Sequence, residues 1–578
     1  MAVTIGMSQP QVFDYIVVGA GSAGCVVASR LSQSASVLLL ERGGPDTGIR
    51  KGVDVDALVS DPGGIIRAAW NRVISVPVET EPERSLDGRR VIVNRGVVFG
   101  GCHTVNGMIY VRGHRRDFDG WSRLGNDGWS FDEVLPYFKR SEEFDGSPLT
   151  YAAEDLAYHG TTGPMHVRPV PDPTLFTAAF IDAARDLGHG GGTPHWDFNG
   201  RQQENGAGLF QVTVTADRKR VSTARAFLAD AATRPRLRVV LDAVVSRVLL
   251  ERARAVGVEY VAGGRRMRAN VDGEVILCAG AFESPKLLML SGLGPAAALR
   301  NAAIPCVVDL PGVGENLHDH PMVVIAYETA KDTGQSTFTA EAGLFLDTRG
   351  RSETRSPDLQ YHALGKMPAV PDVLEPIRRV LPGQYFTLCP TVSQPESRGR
   401  ITLRPGQPMA LPLVRASYLQ HEADWRVLEH GIELMHALVA MPSIRAFRPR
   451  TPPFVARPGY RVALPLRGSV RPFIAETLTT TWHPAGTCKM GRDPQAVVDP
   501  ELRVHGVTGL RIADASIMPT PITGNINAAC IMIAEKCADL VRRGAAALPR
   551  PAGGDADLGE DALFAVLRAV LARDRPAS

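Results

Sequence analysis

Residues 13–24 read FDYIVVGAGSAG, a short apolar run that ends in a glycine-rich turn. Residues 25–31, CVVASRL, have the character of a helix start, and residues 37–40 form a second apolar run that ends at Glu41. A strand, a glycine turn, a helix, a second strand and an acid in this order predict a βαβ unit of the kind that holds a dinucleotide. We therefore expect a cofactor that contains ADP, and this unit alone leaves FAD and NAD open.

Each glycine of the turn has its own physical role. Gly19 permits the tight turn, Gly21 lets the backbone approach a pyrophosphate, and Gly24 lets the helix pack closely on the strand. The helix then presents unpaired N–H groups and the positive end of its dipole to the phosphates. Glu41 lies 22 residues after Gly19, where a carboxylate can accept hydrogen bonds from ribose hydroxyls.

The composition excludes several classes of protein. The chain has 578 residues, of which 44% are hydrophobic and 22% charged, and its net charge is +3. This is globular composition, which excludes disordered, collagen-like and coiled-coil chains. A nucleic-acid-binding or membrane-surface protein would carry a basic stripe, and a net charge of +3 argues against one. We expect no nucleic-acid partner.

The cysteines and the first residues bear on location. Eight cysteines are scattered along the chain without a CxxC pair, so we expect no metal site. Scattered thiols in a large chain fit a reducing compartment. The opening residues, MAVTIGMSQPQ, lack the basic and apolar regions of a signal peptide, and no run of about 18 apolar residues occurs. We expect a cytoplasmic protein without a membrane span.

Three further stretches, together with the βαβ unit, carry a family resemblance. Residues 100–113 read GGCHTVNGMIYVRG, and residues 280–294 read GAFESPKLLMLSGLG. Residues 482–491 read WHPAGTCKMG, and this third stretch continues through RIADAS at 511–516 to GNINA at 524–528. In these motifs, over about residues 12–545, the chain resembles the glucose–methanol–choline (GMC) family of flavoprotein alcohol oxidoreductases, in its choline and alcohol dehydrogenase-like branch.

The resemblance implies FAD as the cofactor and a particular fold. We expect an α/β fold in which a Rossmann-like FAD-binding domain, built from discontinuous segments, is interleaved with an α+β substrate-binding domain that contains an antiparallel sheet. The expected segments are 12–170 (FAD-binding, with a flavin-contact segment at 94–113), 171–235 (insert), 236–320 (FAD-binding), 321–480 (substrate-binding), 481–545 (catalytic and FAD-binding) and 546–578 (linker and tail). In the tail, residues 560–573 have one apolar helical face, which either docks on a partner or packs on the protein itself.

The chemistry implied by the resemblance is oxidation of an alcohol to a carbonyl compound. The hydroxyl proton must leave, and a histidine is the side chain best suited to accept it near neutral pH. His483 stands at the family's base position in the WHPAGT motif. Counting back from Glu535, we match Asn527 to the family's second polar group, which would hold the alcohol oxygen. His318, His320 and His362 carry no comparable motif, and we expect each to be structural.

The resemblance also implies a set of FAD contacts. Gly19, Gly21, Ser22, Ala23 and Gly24 are expected at the pyrophosphate, Glu41 and Arg42 at the adenosine ribose, Val245 at adenine, Gly101, Asn106, Gly107 and Met108 along the isoalloxazine, Asp514 and Ala515 on the phosphate side, and Asn525 and Ile526 on the flavin side.

The chain departs from the family pattern at the flavin segment. A basic residue is usual at the position of Val97, and here Arg95 stands two places earlier. Small residues are usual at the positions of Cys102 and His103. Relatives that bond FAD covalently carry a histidine at the position of Val105, so we expect non-covalent FAD. The alternative is that His103 links or tunes the flavin.

Two other functions remain open at this point. A lyase on the same scaffold, resembling a hydroxynitrile lyase or a flavin photodecarboxylase, would use the same His base and flavin segments without net alcohol oxidation. A plain NAD-dependent dehydrogenase is disfavoured by the flavin motifs. We expect a small-molecule alcohol as substrate and oxygen or a quinone as electron acceptor; the alcohol and the oligomeric state stay open.

Overall fold

The computed structural model of the chain describes residues 11–190, 195–350, 352–367, 377, 379–381 and 383–545. The tail helix expected at 560–573 lies outside these residues. Two large sheets organise the described chain, one of seven strands and one of nine. The cavity described below is lined by residues from both sheets.

The seven-stranded sheet contains the βαβ unit. Across the sheet, its strands are Leu237–Val240, Val37–Leu40, Val12–Val18, Arg265–Leu277, Arg254–Ala262 and Ala243–Glu251, with Leu510–Ile512 beside the end of Arg265–Leu277. The pairings around Val12–Val18 are parallel, whereas the last three strands of the series form an antiparallel meander. The parallel strands Val37–Leu40 and Leu510–Ile512 are buried along their whole length, as parallel strands covered on both faces are.

The nine-stranded sheet is antiparallel and lies on the other side of the cavity. Its strands are Gly206–Leu209, Ala342–Leu346, Leu359–Leu364, Tyr385–Val392, Ile325–Glu328, Phe454–Arg457 and Tyr460–Ala463, with Pro321–Met322 and Thr479–Thr480 beside this series. The expected α/β fold, with a discontinuous Rossmann-like sheet and a second antiparallel sheet, is confirmed.

Smaller sheets and helices complete the fold. A four-stranded sheet contains Ile109–Tyr110, Gln211–Val212, Met165–Pro169 and Glu142–Phe144. The strand pairs are Leu293–Gly294 with Val308–Asp309, Arg400–Thr402 with Leu413–Arg415, Ile49–Arg50 with Val53–Asp54, and Ser75–Glu79 with Ile92–Gly96. The α-helices are Ser22–Leu31, Val55–Ser60, Ile65–Trp70, Arg115–Arg123, Phe131–Ser141, Ala153–Leu156, Leu175–Asp186, Thr223–Leu228, Gly280–Leu290, Ala296–Asn301, Glu422–Ala440, Pro442–Arg445, Arg471–Thr477 and Asn527–Ala545.

The sheets draw on separate parts of the chain. The seven-stranded sheet takes its strands from residues 12–40, 237–277 and 510–512, whereas eight of the nine strands of the other sheet lie within 321–480. Within the expected insert 171–235, the strand Gly206–Leu209 joins the nine-stranded sheet and the helix Thr223–Leu228 packs on Ser22–Leu31. The domain boundaries themselves stay a prediction.

The described residues show neither a disulfide nor a metal cluster. All eight cysteines are free, and no group of three or more His, Cys, Asp or Glu side chains there is arranged to hold a metal ion. No helix in the described ranges is long and apolar enough to cross a bilayer.

Candidate active site

A cavity of about 1490 Å³ extends from the glycine turn to the imidazole of His483. One wall comes from the carboxyl ends of the parallel strands, which is where open α/β sheets bind their ligands. The opposite wall comes from the nine-stranded sheet. The cavity therefore joins a nucleotide-sized groove to a chamber built by a different part of the chain.

The glycine turn has the geometry expected from its sequence. A Cβ at Gly24 would lie 1.8 Å from the carbonyl oxygen of Gly19, so only glycine allows the helix Ser22–Leu31 to lie this close to the strand. A Cβ at Gly21 would meet no atom within 4 Å, because this residue faces the cavity. Gly21 caps the helix without a side chain, which leaves the first helical N–H groups free for an anion.

Glu41 is held at the end of the second strand by backbone groups. Its two carboxylate oxygens accept hydrogen bonds from the backbone N–H groups of Ala20 (2.8 Å) and Gly43 (2.7 Å). Burial raises the pKa of Glu41, and these two donors act in the opposite direction. The carboxylate lines the cavity beside the turn, where its remaining lone pairs can accept hydrogen bonds from ribose hydroxyls.

His483 follows the strand Thr479–Thr480 and has hydrogen-bond partners on both ring nitrogens. Its Nδ1 lies 2.8 Å from Oγ1 of Thr481 and 3.0 Å from Nδ1 of His320. Its Nε2 lies 3.3 Å from the amide nitrogen of Asn525. The backbone N–H of His483 donates to Asp319 (2.7 Å), so the main chain is anchored as well as the ring.

These partners assign the tautomer of His483. The amide N–H of Asn525 donates to Nε2, which must then carry the lone pair. The proton of the neutral ring is therefore on Nδ1, where it can be donated to Thr481 or to His320. Nε2 is thus the basic atom, on the side of the ring that meets Asn525.

The charge state of the ring follows from its surroundings. Burial lowers the pKa of His483 well below its ordinary value, and any positive charge on the nearby His320 or His362 would lower it further. Burial likewise lowers the pKa of His320 to about 3 and that of His362 to about 4. All three imidazoles are neutral at pH 7, and a neutral imidazole is the form that can accept a proton.

Asn525, rather than the expected Asn527, stands beside the imidazole. Asn525 lies in the loop before the last helix, and its Oδ1 accepts a hydrogen bond from Gln360 (3.3 Å) on the strand Leu359–Leu364. Asn527 is the first residue of the helix Asn527–Ala545, and its Oδ1 accepts a hydrogen bond from the hydroxyl of Ser22 (2.7 Å). The pairing of His483 with Asn527 is therefore not found, because the helix start turns Asn527 toward the glycine turn.

Most of the other expected FAD contacts also line the cavity. They are Gly19, Gly21, Ser22, Ala23, Glu41, Arg42, Gly101, Asn106, Gly107, Val245, Asp514, Ala515, Asn525 and Ile526. Gly24 and Met108 do not line it. Gly24 lies where the helix packs against the strand and the turn. The Met108 side chain is 1% exposed and belongs to the hydrophobic core.

The flavin segment comes close to the glycine turn, with His103 facing inward. A Cβ at Gly101 would lie 2.7 Å from Cα of Gly21, so the two turns meet without side chains between them. His103 is fully buried, and its Nε2 lies 3.1 Å from Oγ1 of Thr213. It does not line the cavity, whereas Val105 does.

Sequence reasoning missed His320. It lies in the stretch GVGENLHDH at 312–320, outside the motifs that carry the family resemblance. Its spacing from His483 in the chain gives no signal of the 3.0 Å contact between their rings. The only local signal was the cluster of two histidines around Asp319.

Comparison with known proteins identifies the family of the chain. Models of the GMC oxidoreductase family match residues 13–322 and 395–534. The chain belongs to the GMC oxidoreductase family. The chain is 39% identical to the oxygen-dependent choline dehydrogenase of Pseudomonas entomophila (strain L48), over 96% of this chain and 99% of that one. It is 37% identical to the oxygen-dependent choline dehydrogenase of Sinorhizobium fredii (strain NBRC 101917 / NGR234), over 91% of this chain and 95% of that one.

A solved structure also matches the fold over most of its length. The crystal structure of pyridoxine 4-oxidase from Mesorbium loti superposes with a TM-score of 0.75 at 29% identity and covers 91% of this chain and 98% of that one. Family membership makes the chain an FAD-dependent oxidoreductase of CH–OH donors. Nothing in these comparisons favours the lyase alternative.

The residues present fit FAD. The unfilled space at Gly21, the uncapped helix start and the Glu41 carboxylate form a cradle for the pyrophosphate and ribose. The groove continues past Gly101, Asn106 and Gly107 to His483, which leaves room for the flavin ring between the glycine turn and the imidazole.

Replacing Gly21 by valine should remove FAD while the protein still folds. The backbone of Gly21 is extended (φ −82°, ψ −161°), a conformation that valine accepts, and the added side chain would occupy the space for the pyrophosphate. We expect the purified variant to be colourless. Its thermal unfolding midpoint should equal that of wild-type protein from which FAD has been removed. Gly24→Ala is the contrasting variant, because its Cβ would clash with Gly19 and should lower that midpoint. Flavin absorbance equal to wild type in Gly21→Val would contradict this placement.

Proposed function

We propose that this site oxidises a small-molecule alcohol to the aldehyde or ketone, with His483 as the base and Asn525 as the group that holds the alcohol oxygen. The observation that carries the proposal is the pairing of Nε2 of His483 with the amide of Asn525 inside the cavity that also contains the dinucleotide cradle. Bound FAD supplies the acceptor for the hydride that leaves the α-carbon.

The proton step assigns a role to the tautomer of His483. An alcohol is too weak an acid to ionise unaided at neutral pH, so a neutral imidazole must accept its proton as the hydride leaves. Nε2 of His483 carries the lone pair, and Nδ1–H is held by Thr481 and His320. When the ring becomes positive, the Nδ1 lone pair of the neutral His320 stabilises that charge.

The alcohol oxygen becomes alkoxide-like as the proton leaves, and it needs a donor. The amide of Asn525 can donate, and it cannot accept a proton itself. Gln360 holds the opposite end of the same amide, so the N–H group stays directed at the base. The sequence matches Asn527 to this role, but its Oδ1 accepts a hydrogen bond from Ser22 in the glycine turn. We therefore assign Asn527 to the binding of the cofactor.

We further propose that FAD is bound non-covalently and that oxygen is its oxidant. Val105 offers no nucleophile where covalent relatives carry a histidine, and the buried His103 ring is directed at Thr213. The curated relatives are named oxygen-dependent, which supports oxygen; a quinone remains the alternative acceptor. Oxygen uptake compared with dye reduction under the same conditions distinguishes the two.

Replacing His483 by alanine should slow the reduction of FAD by an alcohol at least about a hundredfold, because a general base contributes about 10²- to 10⁴-fold. The flavin spectrum should remain, since the imidazole is not part of the cradle. Anaerobic stopped-flow absorbance measures the rate. His166→Ala removes an exposed histidine and is the matched control. Full activity in His483→Ala would remove this residue from the mechanism.

Variants of the two asparagines should separate their roles. Asn525→Ala should lower the rate of flavin reduction about a hundredfold, as loss of an oxyanion donor does, with FAD retained. Asn527→Ala should mainly weaken FAD binding, because it releases the Ser22 hydroxyl beside the glycine turn. Flavin reduction rates and FAD content are measured on both variants. A slow Asn527→Ala enzyme with full FAD, beside a fast Asn525→Ala enzyme, would reverse the assignment.

Precipitation with trichloroacetic acid should release the flavin into the supernatant. Unfolding breaks the contacts of a non-covalent cofactor and leaves a covalent bond intact. The colour of the supernatant and of the washed pellet is the measurement. A yellow pellet would mean that FAD is attached to the chain and would contradict the argument from Val105.

A further inference from the structure

A buried guanidinium lies directly behind the flavin segment. Arg220 follows the turn at residues 215–219, and it is only 1% exposed. Its backbone N–H donates to the carbonyl oxygen of Ser60 (3.0 Å), and the N–H of the next residue, Val221, donates to that of Thr213 (3.0 Å). The main chain is thus anchored at Arg220 and directly after it, and the long side chain starts from a fixed backbone.

The hydrogen bonds of this guanidinium within the described chain end on neutral oxygens. Its Nη1 donates to the backbone carbonyl groups of His103 (3.2 Å) and Asn106 (2.8 Å) and to Oδ1 of Asn106 (3.2 Å). Its Nε donates to the carbonyl oxygen of Val59 (2.9 Å). Three of these four acceptors belong to the flavin segment. The guanidinium therefore ties that segment to the helix Val55–Ser60.

A second buried arginine shows how a counter-charge changes the electrostatics of such a group. Burial acts to lower the pKa of Arg112, but the bonded carboxylate of Glu142 and further neighbours outweigh it, and the pKa is raised. Burial lowers the pKa of Arg220 to about 9; repulsion from Arg225 lowers it further, and Asp61 acts in the opposite direction. Arg220 is thus charged at pH 7, and this charge is not neutralised as that of Arg112 is.

The charge of Arg220 acts on residues next to the cavity. Val105 and Asn106 line the cavity. Oδ1 of Asn106 also accepts the backbone N–H of Met108 (3.0 Å), so this oxygen is engaged and the N–H end of the amide is left for the cavity. Burial lowers the pKa of His103 to about 3, and the charge of Arg220 adds to this effect. The guanidinium thus lies one residue behind the wall along which we expect the flavin ring.

The carbonyl groups that Arg220 binds do not by themselves require a charged partner. A neutral amide can also donate to carbonyl oxygens, and burying an amide costs far less than burying a guanidinium. A site that receives negative charge does gain from a buried positive charge, because surroundings of low polarity strengthen the attraction. A hydride brings an electron pair and one proton, so the ring that accepts it gains one negative charge.

We infer that the positive charge of Arg220 stabilises the negative charge that FAD gains with the hydride, and that it thereby makes the bound flavin a stronger electron acceptor. The inference goes beyond the proposed function, because it concerns the affinity of the cofactor for electrons and holds for any alcohol. It depends on the flavin ring lying along residues 101–107, and it requires neither His483 nor Asn525. Arg220 contacts the flavin segment, and it acts through the field of its charge.

Sulfite tests this property without an alcohol. Its sulfur lone pair forms a bond to N5 of oxidised flavin and the ring takes up the negative charge, so sulfite binds more tightly where a positive charge lies near the ring. The purified holoenzyme is titrated with sulfite, and the loss of the yellow absorbance gives the Kd. We expect Arg220→Gln, which keeps an amide donor and loses the charge, to raise this Kd at least about tenfold. Equilibration with a reference dye should show a lower reduction potential in the same variant.

Two further variants separate the charge from the shape of the side chain. Arg220→Lys keeps the charge and loses the planar fork, so its Kd for sulfite should stay within about threefold of wild type even where its thermal unfolding midpoint falls. Arg218→Gln removes an exposed arginine of the same turn, which is paired with Asp172, and should change neither the Kd nor the potential.

Two results would overturn the inference. One is an unchanged affinity for sulfite in Arg220→Gln with FAD fully bound. The other is a loss of affinity in Arg220→Lys as large as that in Arg220→Gln, since the charge would then not be the property that matters. If Arg220→Gln does not retain FAD, the lysine variant decides: a retained affinity supports the inference, and a loss of about tenfold overturns it. None of these results bears on the proposed alcohol oxidation, because sulfite reacts without His483 and Asn525.

Discussion

The buried carboxylate of Asp319 connects the parts of the active site. One oxygen accepts the hydroxyl hydrogens of Thr480 (2.5 Å) and Tyr418 (2.6 Å), and the other accepts the backbone N–H groups of His320 (2.8 Å) and His483 (2.7 Å). Burial raises the pKa of Asp319, and these donors act against that rise. Because its partners come from three segments distant in sequence, Asp319 holds the main chain of His483 and of His320 in register. The imidazoles of His320 and His483 are thus fixed in position although both are neutral.

The segment along the flavin groove depends on a second buried network. Arg112, just beyond the cavity-lining residues 105–107, is fully buried and bonds to Glu142 at 2.5 Å. His159 lies between Glu142 (3.1 Å) and Asp197 (2.8 Å), which ties the segment to the four-stranded sheet. Removing one member would leave an unpaired buried charge, which is strongly destabilising. The groove for the cofactor and the chamber for the substrate thus have separate supports.

The match between sequence and structure varies with how local each feature is. The sequence predicts the helix Ser22–Leu31 and the strand Val37–Leu40, because glycine spacing and apolar runs are local patterns. The helix Leu175–Asp186 was not foreseen, since its region is mixed in composition and the helix packs on the nine-stranded sheet. Asn525 and Asn527 are two positions apart in a motif whose letters fit either one. Their roles differ because the helix begins between them, and the sequence carries no clear mark of that start.

The sequence by itself determined the dinucleotide turn, the family and FAD, and it singled out His483 as the expected base, because each of these depends on residues close together in the chain. Only the tertiary structure decided which asparagine meets His483 and that His320 lies at its Nδ1. These facts depend on contacts between residues distant in the chain, 42 positions apart for Asn525 and His483 and 163 positions apart for His320 and His483. Such contacts are products of packing, and no local pattern in the chain encodes them.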